Sequence, residues 1–213
     1  MRNFLKIMAS VLTIAAFAAA NVSCSKDGDD EKDNGANNGN GVTKNNEVTV
    51  AVANDATLAG CTVKLIGYSD DKDDVTLMTT TYGSNGFELK LPASVNASLL
   101  GAPFDEVPEG LTVSNRAVKV ANVYLEAYKG ETYLGDFYHG VGEWSGSLLY
   151  VDGDLNVTGS FTEEGGWKYT YKLQLKKGWN TAYEKYTEKG DGGEAEYTTS
   201  VPTGAKWYFD SGK

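Results

Sequence analysis

The chain has little of what most catalytic and metal sites need. It holds one histidine, two cysteines and four prolines among 213 residues. A single histidine excludes a multi-histidine zinc site, and Cys61 is too isolated in the sequence to complete one. No Gly-x-Ser-x-Gly elbow precedes a helical pattern, and Trp144-Ser145-Gly146-Ser147 is not that motif. No glycine loop of the Walker or dinucleotide type is present. Beyond the first twenty-odd residues no apolar run is long enough to span a bilayer as a helix. Acidic residues are missing from positions 1–23, which carry Arg2 and Lys6. A chain starting at Cys24 therefore holds 29 acidic and 17 basic residues. Such a balance repels nucleic acid and does not suit a basic membrane-binding face. These absences point away from an enzyme, a metal site and a cofactor.

What is present begins with the N-terminus. Arg2 and Lys6 precede the run Ile7–Ala20, which is apolar except for Ser10 and Thr13. That length fits a signal-peptide core and is too short for a membrane span. Asn21-Val22-Ser23-Cys24-Ser25 follows. A small residue and a cysteine just past such a core resemble a bacterial lipobox. The resemblance implies removal of residues 1–23, lipidation of Cys24 and anchorage in a membrane. Asn21 departs from the leucine usual at its position, so cleavage after Ala18-Ala19-Ala20 is the alternative. In that case Cys24 and Cys61 are free to form a bridge. Otherwise Cys61, at the head of an apolar strand, reads as a small buried hydrophobe.

Residues 25–46 are dominated by Asn, Gly and Asp, with Ala36 and Val42 as the only apolar side chains. Such a segment cannot offset its own ordering entropy, so 24–45 is expected to be a disordered acidic tether. It lacks the spacing of a calcium-binding loop. The run Ser25-Lys26-Asp27-Gly28-Asp29-Asp30-Glu31-Lys32-Asp33-Asn34 resembles the export run of surface lipoproteins of the Bacteroidota. That resemblance implies the outer membrane and its outer face.

From position 46 to 213 the dominant period is two. Val48, Val50 and Val52 alternate with Glu47, Thr49 and Ala51, and Phe87, Leu89 and Leu91 alternate with Glu88 and Lys90. The clearest row is Trp167-Tyr169-Tyr171-Leu173-Leu175 against Lys168-Thr170-Lys172-Gln174-Lys176. Polar turns, such as Asp70–Asp74, Glu163–Gly166 and Asp191–Gly193, separate these runs. The expectation is all-β: an antiparallel β-sandwich of ten or so strands, continuous from 46 to 213, with a subdivision conceivable near 139–146. Between Ala117 and Tyr128 the apolar parity changes, which predicts a β-bulge near Ala121-Asn122. Residues 93–115 read as a crossover between sheets with one turn of helix.

Gly60-Cys61-Thr62-Val63-Lys64-Leu65, followed by the hairpin Thr81-Tyr82-Gly83-Ser84-Asn85-Gly86-Phe87-Glu88-Leu89-Lys90-Leu91-Pro92, resembles the prealbumin-like, carboxypeptidase-regulatory type of β-sandwich. The resemblance implies a fold and no catalysis.

Aromatic residues are the remaining pointer to function. Trp167 and Trp207 share rows with core residues. Trp144 and Trp179 lie beside glycine-containing turns and are the candidate ligand platforms. His139 reads as a turn residue near a strand end. Glu143, Glu163 and Glu164 lie near tryptophans, and only three dimensions decide whether two carboxylates sit at a hydrolase's separation. The function expected is a noncatalytic surface lipoprotein whose β-sandwich binds a ligand, a glycan or an envelope protein. The alternative is a structural component of a surface complex or fimbria-like fibre, built by strand addition at an open sheet edge.

Overall fold

A computed structural model describes residues 47–50, 56–68, 74–84 and 86–211. The expected signal peptide and tether, with Cys24, and the turn residues Asp70–Asp73 and Asn85 lie outside the described residues. The described chain is all-β and sandwich-like, and its regular elements are strands and two short 3-10 turns.

Thirteen strands form two sheets. The smaller pairs β1 (Glu47–Val50) with β4 (Phe87–Lys90). The larger has eleven strands. One half contains β3 (Val75–Thr81), β2 (Thr62–Gly67), β6 (Val120–Lys129), β7 (Thr132–Val141) and β13 (Lys206–Asp210). The other contains β8 (Trp144–Val151), β11 (Gly178–Lys189), β12 (Gly192–Thr198), β10 (Trp167–Leu175), β9 (Leu155–Thr162) and β5 (Leu111–Val113). All pairings are antiparallel except β10 with β12, which is parallel. The strictly antiparallel expectation fails there. β11 leaves β10 to pair with β8, and β12 returns into the vacant place with the direction of β10.

Two hydrophobic cores lie on opposite faces of the large sheet. In the first, Val48, Val50, Phe87 and Leu89 of the small sheet pack on Val63, Leu65, Val123 and Leu125. In the second, Leu149, Val151, Leu155, Val157, Tyr171, Leu173 and Leu175 pack with Val118 and the partly buried Phe104. β8 belongs to both. Leu148 and Tyr150 face the first core, and Leu149 and Val151 face the second. β11 does the same, with Trp179 on one side and Ala182 on the other. A strand covered on both faces has no wet row, which is why Leu148-Leu149-Tyr150-Val151 is continuously apolar. Near 139–146 the chain forms the β7–β8 hairpin, with Val141 opposite Trp144.

Two local expectations change and a third holds. No bulge interrupts β6 near Ala121-Asn122, where the register with β8 runs unbroken from Val120 to Val123. The parity changes because the strand passes from one core to the other. Val118 and Val120 face the second, and Ala121, Val123, Leu125 and Ala127 the first. An irregularity falls instead in the β6–β7 pairing between Ala127 and Tyr128, where the extra residue is Leu134 of β7. The segment 81–92 is not a hairpin within one sheet, because β3 pairs with β2 while β4 pairs with β1. The turn closed by Gly83 N–H donating to Gly86 O at 2.7 Å switches the chain between layers. Residues 93–115 do form a crossover, with a 3-10 turn at Ala97–Leu99 and the short strand β5.

Cys61 is buried, and its Sγ donates to Thr57 O at 3.7 Å, in keeping with a small core hydrophobe.

Candidate functional site: a tyrosine–carboxylate face

The second core covers only part of the sheet face it occupies. Along β6, Val120 packs against that core and Asn122 lines a cavity of about 50 Å³ within it. Tyr124, Glu126 and Tyr128 continue the same row toward solvent, half-buried, while Val123, Leu125 and Ala127 point into the first core. β7 and β13 extend this open half. Glu126 lies directly opposite Asp136, and Asp136 directly opposite Asp210. Tyr138 lies opposite Tyr208. The strands thus place three carboxylates abreast among tyrosines, with Lys64 of β2 directly opposite Glu126 at one end of the row, so the ammonium offsets part of the repulsion between neighbouring acids.

Hydrogen bonds tie the rings to the acids. The Tyr128 hydroxyl donates to Glu126 Oε2 at 2.5 Å. The hydroxyls of Tyr133 and Tyr138 both donate to Asp136 Oδ2, at 2.6 and 3.0 Å. Tyr128 and Tyr133 meet edge to face at 5.8 Å, and Tyr138 and Tyr208 lie 5.6 Å apart. Tyr133 is the most open of these, at 46% exposure. The Lys64 ammonium sits 3.8 Å above the Tyr128 ring, a cation–π contact.

The electrostatics follow from burial and neighbours. Burial raises the Glu126 pKa, opposed by the Tyr128 hydrogen bond, with Asp136 and Asp74 raising it further and Lys64 lowering it. Burial also raises that of Asp136, against the two phenol hydrogen bonds, and Asp210 adds to the rise. The Tyr128 hydroxyl is pushed up to about 12, first by burial and then by its bond to Glu126. All four phenols resist ionisation, with burial the leading cause.

Beside this face, β6 leaves β8 to pair with β7, and the sheet parts. The gap between Tyr124, Tyr138, Ser147 and Trp207 holds a cavity of about 20 Å³, room for about one water molecule.

The expected platform residues fall elsewhere. Trp179 is only 8% exposed, and its indole N–H donates to Pro92 O at 2.7 Å. Its ring meets Tyr150 edge to face at 5.4 Å in the first core, which leaves no open face for a ligand. The glycine beside it, Gly178, merely starts a buried strand. Trp144 begins β8 half-buried, with its side chain on the opposite face of the sheet from the tyrosine row. The structure does not bring Trp144 and Trp179 together with the tyrosines. His139 is not in a turn but within β7, opposite Trp207 and Gly146. Its Nδ1 lies 2.7 Å from the Tyr183 hydroxyl, and burial lowers its pKa. Glu143 is an exposed turn residue paired with Lys185 at 3.3 Å.

Sequence reasoning missed Asp136, Tyr138, Glu126 and Asp210 as a group. Their signal was present only as tyrosines on the polar row of β6, at Tyr124 and Tyr128. Opposition across strands depends on register, which no single strand encodes.

No family model, curated protein or solved structure matches this chain.

Proposed function

We propose that this is a noncatalytic, lipid-anchored protein of the bacterial outer membrane whose tyrosine–carboxylate face captures a glycan at the cell surface. The observation that carries the glycan reading is the open half-face, where Tyr128, Tyr133, Tyr138 and Tyr208 flank Glu126 and Asp136. Sugar rings present apolar C–H faces to aromatic rings and hydroxyl donors to carboxylates, so this pairing of groups suits them. The anchor reading rests on the lipobox-like segment at Cys24 and the acidic run after it. Binding of this kind requires no cofactor.

A glycan array probed with the full-length lipoprotein in neutral detergent tests the reading, followed by calorimetric titration of any hit. Tyr138→Ala is expected to weaken binding about tenfold or more, as loss of one well-placed ring contact does. Trp144→Ala, on the other face, is expected to leave it unchanged. A blank array with folded protein overturns the proposal.

The second reading is assembly by strand addition. Among the described residues β3 and β13 each pair on one side only, so their outer backbone groups are available to another chain. Self-association that grows with protein concentration in size-exclusion chromatography supports it, and a monomer at high concentration counts against it.

A further inference from the structure

The open sheet edges are not equivalent. β13 has five residues and is bounded by Lys206 and Asp210, and β5 has only three. β1 and β4 have four each, with Glu47 on one and Glu88 and Lys90 on the other. β3 has seven, Val75-Thr76-Leu77-Met78-Thr79-Thr80-Thr81, with neither charge nor proline. Charge, proline and shortness keep an edge from pairing with another chain, and β3 has none of them. Its one guard is a bulge. Met78 stands opposite Leu65 and Thr76 opposite Ile66, so Leu77 is the extra residue. The regular part of the edge therefore runs from Met78 to Thr81.

Backbone alternation determines which groups that edge offers. Tyr82 N–H donates to Cys61 O, and Tyr82 O accepts from Gly60 N–H, both at 2.9 Å. Tyr82 thus turns its peptide groups toward β2. Facing alternates along an antiparallel ladder, so Thr80 also faces β2, while Thr79 and Thr81 face outward. Among the described residues β3 pairs only with β2. The side chains of Thr79 and Thr81 are exposed, and Met78 sits partly buried at the rim of the first core.

These features make the edge complementary to itself. Two β3 strands set antiparallel about a two-fold axis at Thr80 place Thr79 of each copy opposite Thr81 of the other. Both outward residues are then used, in about four backbone hydrogen bonds. The exposed side chains meet as Thr–Thr pairs, a favourable cross-strand combination. Charge selects the antiparallel sense. The acidic run Asp70-Asp71-Lys72-Asp73-Asp74 precedes β3, and the uncharged Gly83-Ser84-Asn85-Gly86 follows it closely. Antiparallel pairing sets the acidic end of each copy beside the neutral end of the other, whereas parallel pairing stacks acid on acid.

Resting on the strand-addition reading, we propose that the strand added is β3 of a second copy of this chain, joined antiparallel to β3 with Thr80 on the two-fold axis.

The test uses full-length lipoprotein in density-matched neutral detergent, with self-association measured by sedimentation equilibrium over a range of concentrations. Thr79→Pro removes an N–H that only the second copy uses, a change an edge strand tolerates. It is expected to weaken self-association about tenfold or more while the protein stays folded. Thr79→Lys serves the same purpose should the proline variant fail to fold. Thr80→Cys is expected to cross-link the copies under mild oxidation, because directly opposed residues of this type have Cα atoms about 4.5 Å apart. Thr158→Cys, on the exposed row of β9, is expected not to, and the parent's own Cys24 and Cys61 set the background. Equal cross-linking of the two cysteine variants overturns the pairing. So does self-association that survives both Thr79 variants, and strand addition then stands at another edge. A parent that stays monomeric at every concentration, with no cross-link at Thr80→Cys, removes both.

Discussion

At the scale of single residues, buried polar groups separate structure from function. Asn180 is 2% exposed and fully engaged. Its Oδ1 accepts from Lys176 N–H at 2.9 Å, and its Nδ2 donates to Lys176 O and Gly178 O. It pins the two-residue link between β10 and β11, and nothing in its sequence neighbourhood marks it. Glu184 is different. It is 6% exposed, and the Tyr186 hydroxyl lies a long 3.4 Å from Oε2, poor compensation for a buried charge. Burial pushes its pKa up to about 7, opposed by the Tyr186 bond. The sign follows from linkage. A carboxyl raised on folding stabilises most below its unfolded value near 4.5, and that contribution is lost as pH rises through about 7. Glu184→Gln is therefore expected to unfold at higher denaturant than the parent at pH 8, by at most about 3 kcal/mol. The difference should shrink at pH 5. Urea titrations at the two pH values check this, and an equal effect at both would refute it. Trp179→Phe keeps most of the ring burial but loses the donor to Pro92 O, and about 1–3 kcal/mol of stability should go with it in the same assay.

At the scale of elements, strand parity was legible wherever one face of a strand meets a core. The row from Trp167 to Leu175 is half-buried at its first residue and buried thereafter, as its alternation predicts. Parity misled where a strand serves two cores. In β6 the shift between Val120 and Ala121 records a change of core, and a bulge was the wrong explanation for a correct observation. The β3–β4 turn shows the same limit, because turn chemistry specifies a reversal but not which sheet the next strand joins. Gly146 tests the close packing of β7, β8 and β11. A Cβ there would come within 2.6 Å of both the Tyr183 ring and His139 O. Gly146→Ala is expected to destabilise by about 2 kcal/mol or more, because backbone as well as a ring must shift. An unchanged melting temperature would mean that Tyr183 swings away and that its contact with His139 is dispensable.

At the scale of the whole molecule, β8 and β11 couple the two cores. Leu148 and Leu149 are adjacent in sequence yet buried at 5% and 2% in different cores. Either core lost alone would expose one full face of both strands. The described region is therefore expected to unfold in one transition, with tryptophan fluorescence and far-ultraviolet circular dichroism coinciding. Leu148→Ala and Leu149→Ala should each cost about 2–5 kcal/mol and lower both signals together. Two resolved transitions would instead make the cores independent units divided near the β7–β8 hairpin.

The amino-acid sequence by itself determined that the chain is built of strands, which rows of those strands are apolar and where most turns fall. These are local properties, set by side-chain period and backbone preference. Only the tertiary structure decided that Trp179 fills a core, that β10 and β12 run parallel, and that Glu126, Asp136 and Asp210 stand abreast beneath tyrosine rings. Each of those depends on which strands become neighbours and in what register. That is settled by the packing of two cores around shared strands, which no stretch of sequence states alone.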